Sequence, residues 1–248
     1  MPRFFIDKNC INGELVTISG ADAFHISRSL RMAKGETITV CDGESFEYIC
    51  VLEEFSENVI ARILEKRKSA SEPPYRVVLW QALPKGDKLD GIIQKAVECG
   101  AFEIRLFESS RCIAKSDGKS DAKKSERRNR IAYEAAKQCG RGIIPSVASP
   151  VSYAEMLKQA SSADLPIFCY EGESTAPFGK ILDDFSRNSI EGKTVSLVIG
   201  SEGGFSETEA QKAKDAGMIM AGLGPRILRA ETAPVFALGA IVAKFELS

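Results

Sequence analysis

Two different periods divide the chain. Up to about Ser69, apolar residues come in short runs that read as strands: Arg3–Ile6, Glu14–Ile18, Glu36–Cys41, Phe46–Leu52 and Val59–Leu64. Brief alternation rich in Val, Ile, Thr and Phe suits a half-buried strand. Asp42-Gly43, between two of these runs, predicts a tight hairpin turn. One helix, Ala21 to Met32, interrupts the series. Several short strands joined by tight turns at this length predict a small barrel.

The segment Lys66-Arg67-Lys68-Ser69-Ala70-Ser71-Glu72-Pro73-Pro74 is polar and ends in a proline pair, so it reads as a linker between residues 1–70 and 71–248. Beyond it the period lengthens. Arg76–Leu83 is an apolar strand, and Asp87–Cys99 places Leu89, Ile92, Ile93, Ala96 and Val97 on one helical face before Gly100 stops it. Glu103–Phe107 is the next strand. This βαβ succession predicts an α/β domain with a parallel sheet and helices against it. Further helices are expected up to Arg141, at Tyr153–Ala160, after the capping box Ser206-Glu207-Thr208-Glu209, and from Thr232 to Phe245 with Pro234 in the first turn. Strands are expected at Leu165–Tyr170, running into Glu171-Gly172-Glu173, at the nearly unbroken apolar run Val195–Ile199, and at Met218–Ala221. Ser174–Lys193 receives no element.

Two of the strands in this half run into glycine-rich loops that end in charged residues: Ile199-Gly200-Ser201-Glu202-Gly203-Gly204-Phe205 and Leu223-Gly224-Pro225-Arg226-Ile227-Leu228-Arg229-Ala230-Glu231-Thr232. Such loops bring main-chain N–H and C=O groups close to a ligand. A Walker A loop is excluded, because Gly200 is followed by an acid and no lysine. A dinucleotide fingerprint at Gly222-Leu223-Gly224 is excluded too, because Ile227 replaces the third glycine and too little chain follows. Glu202 repels phosphate and suits a ligand with positive charge or hydrogen-bond donors.

Charge narrows the choice further. The 248 residues carry a formal net charge of -1, so the whole chain is no polyelectrolyte partner for nucleic acid and any such contact is local. The stretch Arg111 to Arg130 holds Arg111, Lys115, Lys119, Lys123, Lys124, Arg127, Arg128 and Arg130 against Asp117, Asp121 and Glu126. It is either a solvated face or a phosphate-binding strip. His25, Arg28 and Arg31 recur every three residues, on one face of the predicted helix, with the same two readings. Seven scattered cysteines without a Cys-x-x-Cys pair, and a single histidine, argue against structural zinc and for reduced thiols. With no signal-like or membrane-length apolar run, a soluble cytoplasmic protein is expected.

At these residues the chain resembles the RsmE family, bacterial small-subunit rRNA uridine-N3 methyltransferases of the SPOUT superfamily. The likeness rests on His25-x-x-Arg28-x-Leu30-Arg31, Lys95-Ala96-x-Glu98-x-Gly100, Glu134-Ala135-Ala136-x-Gln138-x-x-Arg141, the Ile199 to Phe205 loop and Leu223-Gly224-x-Arg226-Ile227-Leu228-Arg229-x-Glu231-Thr232-Ala233. It implies a PUA-like N-terminal β-barrel, a C-terminal domain closed by a trefoil knot, S-adenosylmethionine (AdoMet) as methyl donor without a metal, and a homodimer. It also implies a 16S rRNA target, a uridine near the 3′ end in the 30S subunit. Ile199, Gly200, Glu202, Gly203, Gly204, Leu223, Gly224, Ile227 and Leu228 then become the cofactor residues, and Arg229 the stabiliser of an N3 anion. Glu231 is either base or orienter, or forms a structural ion pair with Arg229. His25, Arg28, Arg31, Lys115, Lys123, Lys124, Arg127, Arg128 and Arg141 become the RNA contacts. The chain departs from the family pattern at Ser201, where proline is usual, and at Ala230, where threonine is common.

Overall fold

A computed structural model describes residues 1–44, 46–115, 121–172 and 174–248. Asp117 and Lys119 of the basic stretch, the side chain of Asp121, and Glu173 lie outside the described residues. The chain separates into two units, Met1–Glu72 with Ala136–Ile144, and Pro73–Ala135 with Pro145–Ser248.

The first unit contains β1 (Arg3–Phe5), β2 (Ile11–Asn12), β3 (Leu15–Ile18), α1 (Gly20–Phe24), β4 (Thr37–Cys41), β5 (Phe46–Phe55) and β6 (Val59–Lys68). The strands form one sheet in the order β1-β4-β5-β6-β3-β2, antiparallel except where β1 runs parallel to β4. Phe4, Val16, Ile18, Ile38, Val40, Cys50, Leu52 and Ala61 of the strands, with Ile26 of the helical segment, form its core. The β4–β5 turn forms at Asp42-Gly43: the Asp42 carboxylate accepts the Glu44 and Phe46 N–H groups at 2.9 and 3.1 Å.

Two expectations for this unit change. β6 continues through Lys68, so Lys66 and Arg67 belong to a strand and not to a linker. Cross-strand pairs hold them there: Lys66 lies over the Phe46 ring at 4.6 Å, and Arg67 donates to buried Glu47 at 2.7 Å. The single predicted helix is also shorter. α1 passes into a π turn at His25–Ser29, and the Met32 N–H then reaches back to the Ile26 carbonyl with Arg31 at φ 52°. This is a helix-ending loop with arginine in the left-handed place usually taken by glycine, at a cost of about 1 kcal/mol. Arg31 therefore lies beyond the helix, and its spacing from His25 and Arg28 no longer defines one helical face.

The second unit contains β7 (Arg76–Ala82), α2 (Lys88–Glu98), β8 (Glu103–Glu108), α3 (Asp121–Cys139, whose last turn belongs to the first unit), β9 (Ser146–Val147), β10 (Val151–Ser152), α4 (Tyr153–Ala160), β11 (Leu165–Cys169), β12 (Ala176–Pro177), α5 (Phe178–Phe185), β13 (Thr194–Ile199), α6 (Glu207–Asp215), β14 (Ile219–Gly222) and α7 (Ala233–Phe245). Its strands lie in the order β10-β8-β7-β13-β11-β14-β12, with β9 also on β8, and every pairing is parallel. Central β7 and β13 are apolar on both faces, through Val77, Leu79, Trp80, Val195, Leu197 and Val198, because helices cover both sides of such a sheet.

Because the strands share one direction, the segments 83–87, 109–112, 200–206 and 223–232 all leave the carboxyl edge, where open parallel sheets bind ligands. From β13 the chain passes through α6 to β14, on the far side of β11. Within the unassigned 174–193, α5 buries Phe178, Ile181 and Leu182. No helix among the described residues is long and apolar enough to cross a membrane.

Candidate functional site

The loop after β13 is set from below by an aromatic cluster. Phe205 is buried, 4.2 Å between ring centroids from Phe168, and parallel to Phe107 at 6.2 Å. The chain must fold back tightly to seat it. A Cβ on Gly200 would stand 3.1 Å from the Phe205 ring and 3.2 Å from the Gly204 Cα, so the tight turn favours glycine there. Fully buried Gln81, on β7, donates to the Gly200 carbonyl at 3.2 Å, and Arg111 donates to the Gly203 carbonyl at 3.1 Å. Ser201 is buried, and its hydroxyl has no hydrogen-bond partner among the described residues.

The capping box that opens α6 is part of the same support. Glu209 accepts from Ser206 N–H at 2.9 Å and from Ser110 N–H and hydroxyl at 2.7 and 2.8 Å. Burial pushes its pKa up, but these donors prevail and hold it below the usual carboxylate range. One charged group thus ties the segment after β8 to the segment after β13.

The loop after β14 is the opposite kind of structure. Gly224 takes φ 108°, closed to side-chain-bearing residues, and no hydrogen bond among the described residues engages the main chain of 224–228. Ile227 is 83% exposed. An exposed aliphatic side chain beside unpartnered main-chain groups is what a ligand with a polar edge and an apolar face can cover. Beside this loop, Gly222, Leu223, Gly224, Thr175, Pro177 and Phe236 help line a cavity of about 450 Å³. It takes in Leu223 and Gly224 of the predicted cofactor residues, but not Ile199, Gly200, Glu202, Gly203, Gly204, Ile227 or Leu228.

Between the loops lies a residue that the motif reading does not single out. Lys88 Nζ is 2.9 Å from Glu202 Oε1 and 3.3 Å from Glu231 Oε2. Glu202 also accepts the Lys85 N–H, at 3.1 and 3.2 Å to its two oxygens. Its carboxylate is therefore engaged by the segment leading into α2. Burial pushes the Glu202 pKa up, but Lys88 and the main-chain donors pull it below the usual range. Glu231 is also held low, first by its own N–H and then by Lys88 and the nearby Arg229 charge. Lys88 occupies the first position of α2, where the helix dipole disfavours a cation by about 0.3–1 kcal/mol, and the two carboxylates offset that.

Arg229 is exposed, and its guanidinium has no hydrogen-bond or ion-pair partner among the described residues. The Glu231 carboxylate pairs with Lys88 and not with Arg229. Arg229 contributes its carbonyl instead, which accepts the Thr232 and Ala233 N–H groups at the start of α7.

The predicted RNA contacts divide. His25, Arg28 and Arg31 are exposed in the first unit, next to the exposed side chains of Phe24 and Leu30. On α3, Lys123 and Arg127 are exposed, Lys124 and Arg128 are half-buried, and Arg127 pairs with Asp90. Lys115 lies 3.7 Å from Glu108. Arg141 is in the interior of the first unit, 3% exposed, with its guanidinium bound in fork geometry by Glu72 at 2.9 and 2.8 Å. Among the described residues no group of three or more Cys, His, Asp or Glu is arranged to hold a metal.

Residues 71–242 match the family described as RNA methyltransferase domain, and residues 18–64 match the RNA methyltransferase PUA domain. The chain is 35% identical over 256 residues to Ribosomal RNA small subunit methyltransferase E of Bacillus subtilis, covering 100% of this chain and 98% of that one. It is 30% identical over 244 residues to the protein of the same name from Mycobacterium bovis, covering 96% and 90%. Among solved structures, Ribosomal RNA small subunit methyltransferase E from Neisseria gonorrhoeae bound to S-adenosyl methionine is similar with a TM-score of 0.82 at 30% identity, over 98% of this chain and 97% of that one. With the carboxyl-edge loops and the full-length likeness in agreement, the chain belongs to the ribosomal RNA small subunit methyltransferase E family.

Proposed function

We propose that the protein transfers a methyl group from AdoMet to N3 of one uridine near the 3′ end of 16S rRNA in the small ribosomal subunit. The observation that carries this reading is the pairing of two unlike loops on one sheet edge. One is braced by Phe205, Gln81 and Glu209, and the other leaves its main chain unpartnered beside exposed Arg229.

The residues fit such a cofactor. The open main chain of 224–228 offers hydrogen bonds to an adenine edge, and Ile227 offers apolar cover. The unpartnered Ser201 hydroxyl is a further polar group at the braced loop. When bound, the cofactor supplies a methyl group on a positively charged sulfur, which leaves as a neutral thioether. Glu202 favours that charge through space, although its carboxylate is already held by Lys85 and Lys88.

Uridine N3 carries its proton between two carbonyls and must release it, here to solvent, before its lone pair can attack. Exposed Arg229 stabilises the resulting anion, whose charge spreads onto the flanking oxygens. Glu231, ionised and held by Lys88, acts as the orienter of this loop and not as the base, because a carboxylate held below its usual pKa is a poor proton acceptor. N3 takes part in base pairing, so the target base is read unpaired or flipped out.

The wider reading has further parts. Residues 1–70 form a PUA-like β-barrel and residues 71–248 the methyltransferase domain. The passage of β13 through α6 to the far side of β11 supports a trefoil knot, and the apolar surface of α7, with Phe236 exposed, supports a homodimer. RNA is met by His25, Arg28 and Arg31 with the exposed Phe24 ring, and by Lys115, Lys123, Lys124, Arg127 and Arg128; the cytoplasm is the expected compartment. A non-catalytic assembly factor would have no use for the open loop. Titration calorimetry with AdoMet, followed by transfer of labelled methyl to unmodified 30S subunits, separates the two. Binding with transfer supports the enzyme, and failure of both supports the factor.

A further inference from the structure

We infer that Lys88 is a positioning residue for methyl transfer, its ammonium clasping the loop after β13 through Glu202 and the loop after β14 through Glu231. The inference deepens the proposed function and rests on it. Among the described residues Lys88 is the ion-pair partner of both carboxylates, at 2.9 and 3.3 Å. The groups facing the clasp are few: Lys85 gives Glu202 its main-chain N–H, and Arg229 acts on Glu231 through space.

The loops need such a link because they differ in rigidity. The first is locked by Phe205 and by Gln81 and Arg111 on its carbonyls. Among the described residues the second has no main-chain hydrogen bond over 224–228, so little else registers Arg229 against the first loop. A cation at the first position of α2 does nothing for the helix itself, since the helix N-terminus favours anions. Without the ammonium, Glu202 and Glu231 lose their shared counter-charge, and the open loop is free to move away from the braced one. A shift of about 1 Å in a catalytic loop lowers turnover by about 100-fold, whereas cofactor contacts spread over both loops suffer less.

The test uses the full-length protein with K88Q and K88R. For K88Q we expect a loss of about 100-fold in kcat/KM for 30S methylation, with AdoMet affinity weakened by only about fivefold. The acidic limb of the pH profile should move to higher pH, because Glu231 loses a neighbour that favours its charged form. Hydrogen exchange at Thr232 and Ala233, whose N–H groups bond the Arg229 carbonyl, should quicken without cofactor, a readout independent of activity. K88R should recover most of the loss. Wild-type turnover, pH limb and exchange in K88Q would overturn the inference, as would a K88R no better than K88Q. If wild-type protein itself fails to bind AdoMet and to methylate, the methyltransferase reading falls, and unaltered exchange in K88Q would then sink the clasp as well. Thermal unfolding of both variants should show that each is folded, as expected for a side chain one-third exposed.

Discussion

Glu231 Oε2 lies 3.3 Å from the ammonium of Lys88, a residue far from it in the chain. In the proposed mechanism a carboxylate so placed serves as an anion and not as a proton acceptor. Its own N–H, Lys88 and Arg229 lower its pKa. A lowered pKa means that the charged form, and any stability or activity depending on it, is fully present above the ordinary carboxylate range and is lost only as pH falls through the depressed value. The kcat/KM profile should therefore show no loss assignable to Glu231 between neutrality and the ordinary carboxylate range. Glu231→Gln should lower kcat by about 10- to 100-fold, with AdoMet affinity changed by less than about fivefold. Full activity in Glu231→Gln would remove it from the mechanism.

Arg229 makes a sharper case. Its exposed guanidinium is uncommitted among the described residues, so its removal should disturb little of the fold. Arg229→Ala should lower kcat by about 100- to 1,000-fold, as losing one stabiliser of a developing anion does, with unfolding and AdoMet calorimetry close to wild type. A variant with unchanged kcat would mean that the anion is met elsewhere.

Arg141 is expected to act through stability. Its guanidinium is 4% exposed and held in fork geometry by Glu72, itself 11% exposed. Arg141→Ala leaves that carboxylate without its counter-charge and with only the Gly142 and Ile143 N–H groups, so urea unfolding should show a loss of about 3–5 kcal/mol. RNA affinity, measured where the variant is still folded, should change little.

Lys123 is the cleaner probe of RNA contact on α3, since it is exposed, while neighbouring Arg127 already pairs with Asp90. Lys123→Ala should weaken binding to rRNA fragments of different sequence alike and reduce the slope of log K against log salt by about 0.7–0.9. An unchanged slope would assign this face to solvent.

Much of the second unit could be read from local signals. α4 spans the expected residues, and it begins there because Ser152 caps it through the Glu155 N–H. The Ser206 and Glu209 capping box forms as expected at α6. The features that could not be read depend on long-range partners. Lys88 meets Glu202 across 114 residues, and no spacing rule joins them. Lys66 and Arg67 look like linker until Phe46, Tyr48 and Glu47 of the neighbouring strand are opposite them. Arg31 took a helical place by periodicity, whereas the Met32 to Ile26 hydrogen bond turns it into a left-handed terminus. α5 carries Phe178, Ile181 and Leu182 at helical spacing, but its N-cap is Pro177, without the side-chain signal that marks α4 and α6.

Methyl transfer to a uridine N3 is open to test by product mapping. Purified protein and AdoMet are incubated with 30S subunits lacking the modification, and the 16S rRNA is digested and read by mass spectrometry. A single added methyl is expected, on N3 of one uridine near the 3′ end, absent with Arg229→Ala. A methyl on a ribose 2′-oxygen or on another base, or no methyl although AdoMet is bound, would contradict it.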